Sequence, residues 1–341
     1  MSKNIVVCYD GTEGEYQKYN TNIVRAFEVI KRDVSQVAFY DPGVGTFSFF
    51  GSYLGRWIRV LLGKAFGYGL RQNIEDGYEY LMDSFNTGDN VFIFGFSRGA
   101  YTACSLAKMI HQFGILEKGS KNLIQYVLKM YFKEDKKKDF SVIEGFKKTF
   151  SHACKPRFIG LWDTVGALGP YLTRRIPDIE LNPDIKFVFH AIAIDEKRIT
   201  RKIILLDESN KTDKQVIEQV WFPGTHSEVG GGCSKGDCSL PDITLVWMLD
   251  KVSQCGLKLK SGWQNGFDQD ATADMHDSYK FFPYIIPGLL KRRDIPRGAI
   301  IHQSVLDRMN GRDDYNPLLP TDKSISYTNS YPINRAKGEC V

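Results

Sequence analysis

Seven short apolar runs set the frame of this chain: "NIVVCYD" (4–10), "QVAFYD" (36–41), "VFIFGF" (91–96), "RFIGLWD" (157–163), "FVFHAIAID" (187–195), "KIILLDE" (202–208) and "QVWFPG" (219–224). Each has the length and β-rich composition of a buried strand. Helical patterns at 21–32, 71–86 and 100–113 fall between several of them. Strands apolar on both faces that alternate with helices predict a mostly parallel α/β sheet with helices on both faces. No internal repeat or low-complexity linker breaks the pattern, so 1–341 reads as one catalytic-sized domain with insertions. One insertion is a lysine-rich helical stretch at about 117–155, and the second is an aromatic and basic segment at about 260–300.

The third run leads into "VFIFGFSRGAYTACSLAKMI" (91–110), where Gly95 and Gly99 bracket Ser97 in a G-x-S-x-G pattern. The pattern recurs at "GCSKG" (232–236) around Ser234, so spacing alone decides nothing. Context separates the two. A serine placed on a sharp turn between a buried strand and a helix stands exposed as a nucleophile. Val91 to Phe94 supply that strand, and Ala100, Ala103 and Ala107 supply a helix face small enough to lie on a sheet. Ser234 has loop on both sides and reads as structural.

A serine hydroxyl needs a histidine to take its proton and an acid to hold that histidine's tautomer. Along chains with this elbow the order is Ser, then Asp or Glu, then His. All six histidines follow Ser97. His111 lies on the helix after the elbow, His152 precedes a strand, and His190 sits among apolar residues where a core role fits better. His226 ends a strand and opens a Gly-rich loop, "THSEVGGG", the position of a general base. Asp163 ends the strand "RFIGLWD" and is the expected acid; Asp195, which ends "HAIAID" amid charged residues, is read as a loop anchor. The two backbone donors of an oxyanion hole are expected at Arg98, directly after the serine, and at Gly11 in "CYDGT".

Composition excludes several other classes. A net charge of +5 on 341 residues is too small for a chain whose main partner is nucleic acid. No run of about 18 uncharged apolar residues can span a membrane. The start, "MSKNIVVCYDGT", is too short in apolar residues for a signal peptide. Seven cysteines, an odd number scattered along the chain, suit reduced thiols and synthesis in the cytoplasm. Cys233 and Cys238 lack a second Cys/His pair at zinc spacing, and no metal or organic cofactor is expected.

The motifs extend well beyond the elbow. "DGT" (10–12), "TNIVRAF" (21–27), "YDPGVGT" (40–46), "GYGLRQNIEDGYEYLMDSFNTGDNVFIFGFSRGAYTA" (67–103), "GLWDTVGALG" (160–169), "HAIAIDEKR" (190–198), "WFPGTHSEVGGG" (221–232) and "IHQSVLDRM" (301–309) together resemble one family. It is the α/β-hydrolase domain, long catalogued as of unknown function, that forms the catalytic part of the first class of type VI secretion phospholipase effectors. The resemblance spans nearly the whole chain. It implies that Ser97, Asp163 and His226 match the family's nucleophile, acid and base. Where the family pattern would often have Asp, this chain has Glu228. The chain is expected to amount to little more than the catalytic domain.

The implied activity is hydrolysis of a carboxylic ester of a lipid, in the manner of a phospholipase A, through an acyl-serine. Two other readings stand beside it: an esterase or thioesterase for small soluble substrates, and a non-catalytic binding module on a hydrolase fold. Lipid, a peripheral membrane contact and an immunity or regulatory protein are the expected partners, with signal-independent secretion as an export route. The membrane contact is expected at "FFGSYLGRWIRVLLGKAFGYGL" (49–70), through Trp57, and at "YKFFPYIIPGLLKRRD" (279–294). In the latter, Phe281 and Phe282 would enter the headgroup boundary while Lys291, Arg292 and Arg293 meet anionic lipid.

Overall fold

The computed structural model describes residues 2–11, 19–43, 55–166, 182–232, 239–276, 290–320 and 326–328, without the side chains of 55–67, 135 and 327. β1 (Asn4–Tyr9) is buried at every position, as its unbroken apolar pattern requires. α1 (Asn22–Val29) is opened by Thr21, whose hydroxyl accepts the Val24 N–H at 3.3 Å. β2 (Gln36–Asp41), α2 (Gly55–Ser84), β3 (Asn90–Phe96) and α3 (Arg98–Phe113) complete the first half. A short antiparallel pair, β4 (Ile115–Leu116) with β5 (Ser151–His152), brackets α4 (Lys121–Tyr131) and α5 (Phe140–Phe150). There follow β6 (Phe158–Trp162), β7 (Phe187–Ala193), β8 (Val216–Phe222), α6 (His226–Gly230) and α7 (Ser239–Gln254). β9 (Ile300–His302), α8 (Gln303–Gly311) and β10 (Ser326–Thr328) come last.

Among the described residues, eight strands form one sheet in the order β10-β9-β8-β7-β6-β3-β1-β2, and every neighbouring pair is parallel. β2 adds to one side of β1, and the later strands of this sheet add to the other. The reversal falls at the carboxyl ends of β1 and β3, the position at which open parallel sheets hold their ligands. The strand alternation sorts the core onto two faces. Ile5, Val7 and Tyr9 pack with Ile74, Leu106 and Ile110 on one side, while Val6 and Cys8 join Ile23, Phe94 and Trp247 on the other.

Six of the seven apolar runs are strands. The run "KIILLDE" is not: it makes isolated bridges instead of a ladder, one of them between Ile203 and Val165. The Gln219 side chain takes the place of a neighbouring strand there, accepting the Leu206 N–H at 2.8 Å and donating to the Leu206 carbonyl at 3.0 Å. β9 and β10, three residues each, contain no apolar run long enough to read as a strand from sequence.

The two glycines of the elbow are explained by distance. A Cβ on Gly95 would stand 2.5 Å from the Ala100 Cα, and one on Gly99 would stand 2.3 Å from the Asp10 carbonyl oxygen. α3 therefore starts pressed against backbone that cannot step aside. Gly99→Ala is expected to destabilise the protein by about 1–3 kcal/mol through overpacking. Gly145→Ala in α5, where a Cβ would meet nothing within 4 Å, should be neutral or up to about 1 kcal/mol stabilising. Urea unfolding midpoints at constant m-value separate the two outcomes.

Candidate active site

Ser97 sits at the junction of β3 and α3 with φ 58° and ψ −122°, a positive φ that a non-glycine residue holds only under constraint. Its N–H donates to the Trp162 carbonyl at 2.9 Å, so the turn is pinned to β6. A serine at a helix N-cap usually turns its hydroxyl to the first free amides of the helix. This one does not cap. Its Oγ lies 2.8 Å from His226 Nε2 instead.

His226 is the first residue of α6, set by a local device: the Thr225 N–H donates to the Glu228 carboxylate at 2.8 Å. Glu228 also accepts the His276 N–H at 2.9 Å, which ties α6 to a later segment. The imidazole packs at a tilt against Phe96, with ring centroids 4.7 Å apart. Its Nδ1 is 2.6 Å from Asp163 Oδ2, so the partners assign the proton to Nδ1 and leave Nε2 as the acceptor for the serine hydroxyl. Burial lowers the His226 pKa to about 4, with Arg201 adding to the fall and Asp163 and Glu196 opposing it.

Asp163, just beyond β6, also has a positive φ of 41° and is wholly buried. The Ala193 N–H donates to its Oδ1 at 2.9 Å. Arg293 donates to Oδ1 at 2.5 Å and to Oδ2 at 2.8 Å. Burial pushes this carboxyl up, but Arg293 and His226 outweigh it and hold the pKa far below the ordinary carboxylate range.

The three expected residues are thus joined in one hydrogen-bonded line. The rival Asp195 is turned elsewhere, accepting the Gly224 N–H at 2.8 Å and the Tyr315 hydroxyl at 2.9 Å. His190 is a core histidine whose Nε2 accepts the Thr164 N–H at 3.2 Å, and burial lowers its pKa to about 4. Arg98, the first residue of α3, stands at the positive end of that helix, and Gly11 lies against Ser97.

Two expectations need correction. The Gly11 N–H was expected to be an oxyanion donor, but it donates to Asp10 Oδ1 at 2.7 Å. The cause is the Asp10 side chain, whose Oδ2 is gripped by the Thr21 hydroxyl at 2.6 Å and the Tyr40 hydroxyl at 2.9 Å. Burial raises the Asp10 pKa to about 6 against these hydrogen bonds. Arg293, read as a cation for anionic lipid, is a buried partner of Asp163, because only an ionic partner makes that carboxylate tolerable. The remaining membrane candidates, Phe281, Phe282 and the side chain of Trp57, lie outside the described residues, as does Ser234.

Among the described residues, Cys8, Cys104, Cys154 and Cys255 are free thiols, and no group of three or more His, Cys, Asp and Glu could hold a metal ion. No helix among them is long and apolar enough to cross a membrane.

Comparison with known proteins gives three kinds of relative. The chain is 32% identical over 215 residues to an uncharacterized protein of Saccharomyces cerevisiae, an alignment covering 58% of this chain and 31% of that one. Among solved structures, a Tle1 effector bound to the VgrG spike of the type 6 secretion system aligns at 18% identity and TM-score 0.44, over 69% of this chain and 52% of its own. An uncharacterized protein from Pseudomonas aeruginosa aligns at 18% identity and TM-score 0.43, over 77% and 47%. The chain thus spans about a third to a half of the length of these relatives. Residues 3–251 match the family model of the type VI secretion phospholipase effectors, Tle1-like, catalytic domain, and the chain belongs to that family.

Proposed function

We propose that this domain hydrolyses carboxylic esters of phospholipids through an acyl-serine intermediate. One observation carries the chemistry: the hydrogen-bonded line from Ser97 Oγ through His226 to Asp163, at 2.8 and 2.6 Å. Ser97 Oγ attacks the ester carbonyl carbon while His226 Nε2 takes the hydroxyl proton. Asp163 fixes the tautomer and stabilises the imidazolium. The developing oxyanion faces the Arg98 N–H at the start of α3, where the helix dipole favours negative charge. The collapsing intermediate expels the alcohol, which leaves with the proton held on His226. Water then attacks the acyl-serine by the same route, releasing the fatty acid. The lipid substrate rests on family membership.

Defined phospholipid vesicles incubated with wild-type and Ser97→Ala protein, read by mass spectrometry, test both parts. Lysophospholipid and free fatty acid are expected from the wild type alone. Turnover of soluble short-chain esters without any lipid turnover would remove the lipid reading and leave the serine chemistry. A fluorophosphonate probe should label wild-type protein and fail on Ser97→Ala, with Ser234 unlabelled in both.

His226→Ala should cost about as much as Ser97→Ala, because members of one proton relay act as a unit. Asp163→Asn should lower kcat by about 10⁴, the cost of an acid-to-amide change in the serine protease precedent. Asp195→Asn, measured in parallel on folded protein, should stay within tenfold of wild type.

The pH profile follows from His226. The base acts only when unprotonated, and burial holds its pKa near 4 instead of 6.5. Activity should therefore persist through mildly acidic solution and fall only as the pH drops through about 4. A kcat/KM profile with its acid limb centred near 6.5 would contradict this.

A further inference from the structure

Arg293 makes more contacts in the site than a surface cation would. One terminal nitrogen donates to Asp163 Oδ1 at 2.5 Å and to the Ala193 carbonyl at 2.9 Å. The other donates to Asp163 Oδ2 at 2.8 Å and to the Arg201 carbonyl at 2.8 Å. The side chain is 5% exposed and its partner carboxylate 0%. Its backbone is registered nearby: Leu290 bridges Arg198, and the Lys291 N–H donates to the Lys197 carbonyl at 2.7 Å. A flat guanidinium fork fits both oxygens of a carboxylate, and a lysine cannot copy it.

We infer that Arg293 is a positioning residue which clamps Asp163 in register with His226 and, by its charge, keeps His226 unprotonated in weak acid. The inference rests on the proposed roles of Asp163 and His226. An unpaired Asp163 would attract a proton onto the imidazole beside it. Paired with Arg293, the buried couple is neutral, so a proton on His226 would add an unmatched buried charge. The other charges facing the ring do not reverse this. Glu196 accepts the His226 N–H at 3.3 Å, but Arg198 is bound to the same carboxylate at 2.5 Å. Arg201 opposes protonation, and Glu228 on the same helix is turned to Thr225 and His276. Asp163 and Glu196 are thus each matched by an arginine, and the base they face is neutral.

The test reads the proton on His226 directly. Histidine-labelled protein is titrated by NMR, with the His226 signal assigned by its loss in His226→Ala. In Arg293→Gln the His226 midpoint should rise by about one pH unit or more. In Arg293→Lys it should stay near the wild-type value, while ester turnover falls because the two-oxygen clamp is gone. An unchanged midpoint in folded Arg293→Gln overturns the inference. Wild-type protein supplies a second measurement that does not depend on a variant folding: a His226 midpoint at or above the free-imidazole value of about 6.5 overturns it as well. Neither titration uses ester turnover. A wild-type Ser97 that proves unreactive toward ester would refute the proposed chemistry and leave the titration result standing.

Discussion

A carboxylate with no exposed surface is the constraint around which this site is organised. Removing an unpaired Asp163 from water would be prohibitively costly, so every group around it must be in place at once. The Ala193 N–H, His226 Nδ1 and the Arg293 fork supply the partners. They come from the end of β7, the start of α6 and the segment before β9. Satisfying one acid therefore fastens three otherwise separate parts of the chain beyond the carboxyl edge of the sheet. The same fastening orients the imidazole toward Ser97.

The strained serine is the other half of the arrangement. A positive φ at a non-glycine residue costs on the order of 1–3 kcal/mol, and it persists only where the surroundings leave no alternative. Here Gly95 and Gly99 let α3 close onto β1, and the Trp162 carbonyl holds the Ser97 amide. A relaxed turn would let the hydroxyl cap its own helix. The constrained one leaves it for His226.

Much of this was legible from sequence because the informative residues are local to strong patterns. Ser97, Asp163 and His226 each follow an apolar run, and a parallel sheet brings the carboxyl ends of such runs to one edge. The proximity of those ends needed no knowledge of side-chain conformation. Arg293 was illegible for the opposite reason. It stands in "KRRD", where a basic run reads as solvated surface, and its partner is 130 residues away. The Gly11 amide depended on the orientation of a single side chain, Asp10, which two distant hydroxyls decide. "KIILLDE" misled because a glutamine side chain can imitate the hydrogen bonds of a neighbouring strand, and composition carries no trace of that.

The order in which a ribosome would deliver these partners has a consequence of its own. From β3 onward the main sheet is assembled in chain order, so each strand can join a growing edge as it emerges. Asp163 arrives with β6, and its histidine follows 63 residues later. Its arginine comes last, 130 residues after the acid. Until then the carboxylate must stay hydrated or take up a proton, and the ground beyond β6 cannot close at low cost. A nascent chain with its serine and histidine already made would still lack a settled acid. Settling of the acid is thereby coupled to synthesis of the chain through Arg293, well after the serine and the histidine have been made.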